Sequence, residues 1–237
     1  MMRKGCLAVW IVLTAGLGFG GQGTGAPAAR KAGAPAWRDS FPVDRANLAD
    51  TGRNPYFILE PGYRLTMSSG RDTLVITVLG ETRIVDGVRT RIVEERETEG
   101  GQLAEVSRNF FAIDRTTNDL YYFGEEVDEY KGGRIVGHGG AWLAGAAGAR
   151  FGLMLPGKPA IGDRYYQEIA PKVAMDRAEV VSVNEAVKTP AGAYTNCLHT
   201  RESSAIESGS EDKWYAPGVG LIRDADFTLT NVERITP

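Results

Sequence analysis

The sequence predicts an all-β protein, mainly antiparallel, whose sheet is a curved open sheet or half-barrel made of two related meanders with little helix. Three observations lead to this prediction. Apolar, β-branched segments recur at intervals of roughly ten residues, with turn residues between them. No segment keeps a 3.6-residue apolar period bounded by helix caps. Finally, one part of the sequence is repeated more loosely later in the chain, and an internal repeat fixes architecture.

In the first half, the dipeptide Asp86-Gly87 is the strongest local signal, because it favours a two-residue hairpin between two β-branched segments. Glu99-Gly100-Gly101 and Asn118-Asp119 mark two further turns. The strands predicted between these turns cover 63–67, 74–79, 84–85, 88–98, 103–113 and 120–123.

In the second half, Pro190-Ala191-Gly192 predicts the equivalent hairpin turn, and Pro217-Gly218 suits a type II turn. Gly220 then permits a bulge or bend where the chain re-enters the sheet. The strands predicted here cover 163–169, 177–183, 197–203, 213–216, 221–225 and 227–232.

The two copies of the repeat cover residues of about 80–123 and of about 181–223. Each copy has a turn, an alternating strand, an aromatic pair followed by alanine, and another apolar strand. The aromatic pairs are Phe110-Phe111-Ala112 and Trp214-Tyr215-Ala216. Because the copies agree at turns and strand positions, the repeat indicates a duplicated sheet-building unit within one domain, 53–237.

The segment 137–162, between the two copies, is both apolar and glycine-rich, and we expect an irregular apolar loop there. Its large side chains could plug the concave face of the sheet or form a lid that opens for a hydrophobic ligand. The candidate ligand-binding residues are Trp142, Phe151, Met154, Leu155 and, at the mouth of the loop, His138.

The N-terminus has the pattern of a signal peptide, 1–28: Arg3 and Lys4, then an apolar run, then small residues ending at an Ala-x-Ala site. A second site follows at Ala34 and Ala36, and an uncleaved anchor is the alternative. Cys6 precedes the apolar run, so we do not expect a lipoprotein. We expect a secreted or periplasmic protein without a transmembrane span in its mature form.

Residues 29–52 are rich in Ala, Pro, Arg and Asp with little periodicity, which predicts a flexible linker. The alternative is that Trp37 and Phe41 dock onto the domain. Cys197 is the one cysteine of the mature chain, and its place in an alternating segment predicts a buried thiol.

The composition argues against several classes of function. A net charge of −3 without a basic cluster makes a nucleic-acid partner unexpected. The sequence lacks the Gly-x-Ser-x-Gly, Ser-x-x-Lys and His-Glu-x-x-His motifs, so we predict no catalytic residues, no metal and no cofactor. The acidic residues at 94–99 and at 125–129 are interpreted as solvated sheet surface rather than a calcium site.

Nearly the whole range from Asn54 to Ile222 resembles a widespread group of uncharacterised secreted bacterial proteins. The resemblance depends on Trp214-Tyr215-Ala216-Pro217-Gly218-Val219-Gly220, on Thr189-Pro190-Ala191-Gly192, and on a middle region with Trp142, Met154, Pro156 and Gly162-Asp163. The C-terminal motifs are also similar to envelope proteins of the DUF3108 kind. This resemblance implies an open, curved antiparallel sheet and an envelope location, and it implies no activity.

The leading hypothesis is therefore a non-enzymatic envelope protein that binds a lipid, another hydrophobic small molecule, or an envelope protein. One alternative is a structural or adaptor module that recruits partners by strand addition at exposed sheet edges. The other is an uncharacterised hydrolase in which His199 works with an acidic neighbour in the concavity.

Overall fold

The computed structural model describes residues 36–236, so the predicted signal peptide, 1–28, lies outside the described residues. A 3-10 helix spans Arg45–Asn47, and all other regular elements of the described chain are strands. The strands are β1 (Leu48–Ala49), β2 (Gly52–Asn54), β3 (Phe57–Leu59), β4 (Tyr63–Ser69), β5 (Asp72–Val85), β6 (Val88–Glu99), β7 (Gln102–Asp114), β8 (Leu120–Lys131), β9 (Arg134–Gly137), β10 (Trp142–Leu143), β11 (Arg150–Leu155), β12 (Arg164–Tyr166), β13 (Glu168–Ile169), β14 (Asp176–Thr189), β15 (Gly192–Ser204), β16 (Glu211–Ala216), β17 (Gly220–Asp224) and β18 (Phe227–Arg234).

One large antiparallel sheet contains all of these strands except β2 and β3, which form a separate hairpin. Along the sheet the strand order is β12, β14, β15, β16, β17, β18, β4, β5, β6, β7, β8, β11 and β13. β1 pairs with β7, while β9 and β10 pair with β8. The predicted all-β antiparallel class is confirmed, and the sheet curls into a nearly closed barrel with one seam.

The seam lies at a single stretch of chain, residues 164–169, that reaches both ends of the sheet. Its first part, β12, pairs with β14, and Gln167 N donates to Asp176 O at 2.7 Å. Its second part, β13, pairs with β11, where Glu168 lies opposite Phe151. Because β12 and β13 are the two terminal strands of the sheet order, this stretch brings the ends of the sheet together.

The closure depends on a very close backbone approach at Gly152 in β11. A Cβ atom built on Gly152 would lie 2.6 Å from Tyr166 O and closer still to Gln167 O. No side chain fits in that space. A glycine at this position is therefore a packing requirement of the seam.

The predicted repeat coincides with two similar successions of strands. β5 and β14 each have 14 residues, each leads through a two-residue connection into a long partner, and each pair contains a bulge. The aromatic pairs Phe110-Phe111 and Trp214-Tyr215 lie in the strands that follow, β7 and β16. A common origin of the two copies remains a prediction.

The predicted linker, 29–52, needs correction for the part that the structure describes, 36–52, which packs against the domain. Arg38 pairs with Tyr165 as a parallel bridge beside the seam, and the Trp37 and Phe41 rings contact Tyr166 and Tyr121 at 6.4 and 6.1 Å. The contacts of these aromatic rings stabilise the packed segment. Their burial offsets the loss of conformational entropy when a polar segment is ordered.

The same segment is also tied to the sheet by a buried guanidinium. Arg91 donates to the carbonyl oxygen and the carboxylate of Asp50, each at 2.8 Å, and to Gly80 O at 2.6 Å. Gly80 lies in the bulge of β5, between Val78 and Thr82, where the ladder with β6 is interrupted. Arg91 therefore satisfies backbone acceptors that the bulge leaves without a strand partner.

The expected irregular loop, 137–162, is partly β. It contains β10 and β11, both paired with β8, and only the intervening residues are turns. Leu153, Met154 and Leu155 of β11 are completely buried and form part of the barrel core. The glycines had suggested irregular backbone, but at Gly152 the glycine permits strand packing instead. Within the described residues, no helix is long and apolar enough to cross a membrane.

Replacing Gly152 with alanine should destabilise the fold by about 3 kcal/mol or more, because the added methyl group would meet two backbone carbonyl oxygens. The measurement is the free energy of unfolding in urea. Gly100→Ala is the matched control: its φ is +58° and no atom lies within 4 Å, so it should cost about 1 kcal/mol for the left-handed backbone alone. Equal stability of the two variants would contradict the proposed closure.

Candidate functional site

A cavity of about 340 Å³ lies beside β8, between the 141–149 segment and the turn at 170–173. Five alanines contribute to its wall, and we call it the alanine cavity. Its lining consists of Glu125, Glu126, Ala141, Trp142, Leu143, Ala146, Ala147, Ala149, Ala170, Pro171 and Val173. No lysine or arginine belongs to this lining. The cavity is thus an apolar space with carboxylates on one side.

The local sequence explains why the space is empty. Gly124, with φ of +133°, allows β10 to cross β8 closely: a Cβ there would lie 2.9 Å from the Leu143 Cα. Ala144 N then donates to Phe123 O at 2.8 Å, and Gly145 N donates to Ala149 O at 2.9 Å. The chain therefore turns tightly over the sheet while carrying only short side chains, which cannot fill the volume beneath them.

Glu125 is the buried acidic residue of the cavity, with 3% of its surface exposed. It lies opposite Asn109 on β7 and Trp142 on β10. Phe123 and Val127, two residues away on either side, are also buried. Because Glu126 is exposed whereas Glu125 and Val127 are buried, the Glu125 side chain points toward the interior of the barrel.

Other carboxyl groups share this inward face, and burial changes their protonation. Burial, with the nearby charges of Glu125 and Glu97, raises the pKa of Glu105 to about 9. Burial likewise raises the pKa of Glu168 well above its ordinary value, assisted by Asp176 and Glu125. Glu105 therefore holds its proton at neutral pH, because a low-dielectric interior disfavours the charged form.

Lys213 is the cationic counterpart on the opposite part of the interior, with 1% of its surface exposed. Its ammonium group lies 3.2 Å from Glu202 and 3.3 Å from Asp224. Burial by itself would lower the pKa of Lys213, but these carboxylates outweigh it and raise the pKa. The Lys213 charge is thus balanced by its own partners.

The acidic residues at 94–99 and at 125–129 were interpreted from the sequence as solvated surface. This prediction is wrong for the residues that face the interior. Glu95 and Glu97 on β6 are 4% and 7% exposed, and Glu125 on β8 is equally buried. Their neighbours Glu94 and Glu126 form ion pairs with arginines on the outer face. Within the described residues, no group of three or more His, Cys, Asp or Glu side chains is arranged to hold a metal ion.

The predicted ligand-binding residues are separated by the structure. Trp142 lines the alanine cavity and is 6% exposed. Met154 and Leu155 fill the core, and Phe151 stacks on Phe123 with ring centroids 4.9 Å apart. His138 is exposed, with Nδ1 2.7 Å from Val127 O. Ligand binding by these residues remains a prediction, and the core positions favour a plug.

His199 in β15 is buried, with 8% of its surface exposed, as are its neighbours Leu198 and Thr200. Nδ1 is 2.8 Å from Glu185 and Nε2 is 2.8 Å from Asp212, and its ring stacks on Trp214 at 4.4 Å. Both ring nitrogens are therefore engaged with carboxylates, and His199 does not line the alanine cavity. Cys197, in the same strand, is completely buried as predicted.

The predicted ligand-binding residues did not include Glu125 or the turn at 170–173, and Glu125 was considered only as part of the acidic run interpreted as solvated surface. One available signal was the alternation in β8, which places Glu125 in phase with Phe123 and Val127. The contribution of Ala170, Pro171 and Val173 had no comparable signal, because it arises from the approach of a distant turn.

No family model matches the chain, and no curated protein matches it. Among solved structures, it is similar to the crystal structure of a candidate lipoprotein from Parabacteroides distasonis, with a TM-score of 0.37 and 11% sequence identity. That match covers 77% of this chain and 100% of the other. The fold and the site together define a nearly closed antiparallel β barrel with one seam and a mainly apolar cavity whose lining includes two glutamates.

Replacing Glu95 with glutamine should remove a pH-dependent cost to stability. Burial raises the pKa of Glu95 to about 8, although Lys213 acts to lower it, from an ordinary value of 4.5. Protonated Glu95 contributes its full stabilisation below about pH 4.5, where the carboxyl is neutral in both the folded and the unfolded chain. This stabilisation is lost as the pH rises to about 8, because only the unfolded chain ionises readily in that range.

Glu95→Gln should therefore match the wild type near pH 4.5 and exceed its free energy of unfolding by about 1–3 kcal/mol near pH 8. Urea unfolding at the two pH values measures this difference. Glu94→Gln, on the outer face beside Arg96 and Arg108, is the control and should show little change between them. A stability gain for Glu95→Gln that is the same at both pH values would contradict the assignment.

Proposed function

We propose that this protein is an exported envelope protein that binds a hydrophobic small molecule, such as a lipid, in the alanine cavity. The observation that carries the proposal is the cavity itself. Its volume of about 340 Å³ falls within the range of small-molecule sites, and its wall is mostly short apolar side chains with a few polar groups.

The position of the cavity supports ligand entry. Val173, at the turn that forms one wall, is 47% exposed although it is apolar, and Ala146 and Ala147 on the facing segment are also exposed. An exposed apolar rim next to an apolar cavity favours an amphipathic or hydrophobic ligand. Leu153, Met154 and Leu155 are completely buried in the core and do not belong to the cavity lining. In this proposal they are a plug, and the lid is the shorter 141–149 segment.

Export is supported by the sequence alone. The 1–28 segment has the charged, apolar and small-residue regions of a signal peptide, and the motif at 214–220 resembles secreted bacterial proteins. The proposal places the mature protein in the periplasm or outside the cell, where free lipids and lipid-like molecules need protein carriers.

The two alternatives have weaker geometric support. Strand addition needs a long free edge, whereas the terminal strands of the sheet order, β12 and β13, have three and two residues and meet at the seam. A hydrolase that uses His199 as a base would need a free ring nitrogen next to a pocket. Both nitrogens instead lie 2.8 Å from carboxylates, and His199 does not line the alanine cavity.

Ala146→Phe tests the proposal, because the new ring would occupy the cavity from an exposed turn position. We expect about tenfold weaker binding of the neutral hydrophobic probe N-phenyl-1-naphthylamine, measured by its fluorescence. Ala193→Phe, at an exposed position of β15, is the matched control and should bind the probe like the wild type.

Native mass spectrometry of protein exported with its leader should, in addition, detect a bound lipid-sized molecule in the wild type and less of it in Ala146→Phe. Absence of probe binding and of any co-purified molecule in the wild type would overturn the proposal.

A further inference from the structure

We propose that the rim of the alanine cavity is a docking surface for an anionic lipid bilayer. The inference rests on the proposed function, because it places the cavity against the membrane from which a lipid would enter. We call this surface the docking rim, and its exposed apolar members are Ile135, Val136, Ala146, Ala147, Val173 and Ile206.

The first argument is that the segments carrying these residues meet at the cavity. The 141–149 segment and the turn at 170–173 both line it. Ala205 N donates to Met175 O at 2.9 Å, which holds the loop that contains Ile206 beside the end of that turn. The exposed residues of these three segments therefore lie side by side.

The β8–β9 hairpin adjoins the same cavity from the other side. β9 pairs with the end of β8, and the turn after β9 leads from Val136 to Ala141 of the cavity lining. Ala141 N donates to His138 O at 3.4 Å within that turn. Ile135 and Val136 thus belong to a segment that is continuous with the wall of the cavity.

The exposure of the aliphatic side chains favours a membrane as the partner. Val136 is 53% exposed, Val173 47% and Ile206 48%. Single exposed aliphatic residues are common, but a group of them beside an apolar cavity indicates an interaction surface. A rim made of separate turns is uneven, and a bilayer accepts apolar side chains at its headgroup boundary without the close shape complementarity of a protein interface.

The second argument is the positive charge next to the apolar residues. Lys131 and Arg134 lie opposite each other in the β8–β9 hairpin, with Arg134 directly before Ile135. Lys172 directly precedes Val173. All three cationic side chains are exposed, and none of them forms an ion pair within residues 36–236. They are therefore available to lipid phosphates.

Most acidic groups near the rim are already engaged. Glu126 and Asp128 on β8 are paired with arginines. The half-buried Glu129 carboxylate lies against the backbone of Gly137. Glu207, in the loop after β15, remains exposed. Three unpaired cations against one fully exposed acid give the rim a positive balance, which an anionic lipid surface attracts.

Sedimentation with lipid vesicles tests the inference on the whole exported chain. The wild type should bind vesicles of equal parts phosphatidylglycerol and phosphatidylcholine about tenfold or more tightly than vesicles of phosphatidylcholine alone. Concentrated salt should remove most of this difference, because it screens the attraction between exposed charges. Equal binding to both kinds of vesicle would overturn the anionic assignment.

The charge variant combines Lys131→Gln, Arg134→Gln and Lys172→Gln. We expect about hundredfold weaker binding to the anionic vesicles, since each cation near such a surface contributes about fivefold. None of the three residues lines the cavity, so the variant should still bind N-phenyl-1-naphthylamine like the wild type.

The matched control removes the same total charge outside the docking rim, at three exposed positions: Arg115→Gln, Lys158→Gln and Lys188→Gln. Its affinity for the anionic vesicles should stay within about threefold of the wild type, because these charges lie away from the docked surface. Circular dichroism checks that both variants fold.

The apolar contribution has its own pair of variants. Val136→Ser combined with Val173→Ser should weaken binding to the anionic vesicles by about tenfold, because it removes side chains that enter the headgroup boundary. Ile161→Ser combined with Val232→Ser changes two exposed aliphatic residues outside the rim and should bind within about twofold of the wild type.

The docking inference and the proposed function fail in different ways. If the wild type binds neither kind of vesicle, or the rim variants bind like their controls, the docking inference is overturned, while probe binding in solution still supports the cavity as a ligand site. If the wild type does not bind N-phenyl-1-naphthylamine in solution, the proposed function is overturned, whatever the vesicles show.

Discussion

The structure depends on one close backbone contact, the approach of Gly152 in β11 to residues 166–167. The sheet order begins with β12 and ends with β13, and these strands are consecutive in the chain. When the backbone of 164–169 lies against both β14 and β11, an open sheet becomes a nearly closed barrel. Closure removes the long hydrogen-bonding edges that an open sheet of this size would expose.

Closure also creates the interior in which the acidic residues acquire their properties. On an open, solvent-exposed sheet, Glu95, Glu105 and Glu168 would ionise with ordinary pKa values. They would then contribute little to the pH dependence of stability. Inside the barrel they lose solvent, and their pKa values rise because the charged form is disfavoured. Glu125, whose charge acts on all three of these groups, also lines the alanine cavity.

The N-terminal segment, 36–52, also contributes to the closure of the barrel at the seam. Arg38 adds a parallel bridge to β12, and the Trp37 ring lies near the guanidinium groups of Arg164 and Arg177 at 5.2 and 4.5 Å. These contacts cover the outside of the seam. A segment that composition alone describes as a polar linker thus protects the place where the barrel is least regular.

The sequence by itself determined the class of fold and the positions of the turns, because these depend on local backbone preferences and on the two-residue period of side chains. Trp142 was also identified from sequence, since a large apolar residue among glycines and alanines is unusual. Only the tertiary structure decided that Gly152 closes the barrel, that Glu125 faces inward beneath the 141–149 segment, and that the turn at 170–173 completes the cavity. The physical reason is that each of these facts depends on the approach of segments distant in the chain. Local patterns predict which residues form strands, whereas the curvature of the whole sheet decides which strands meet and what space remains between them.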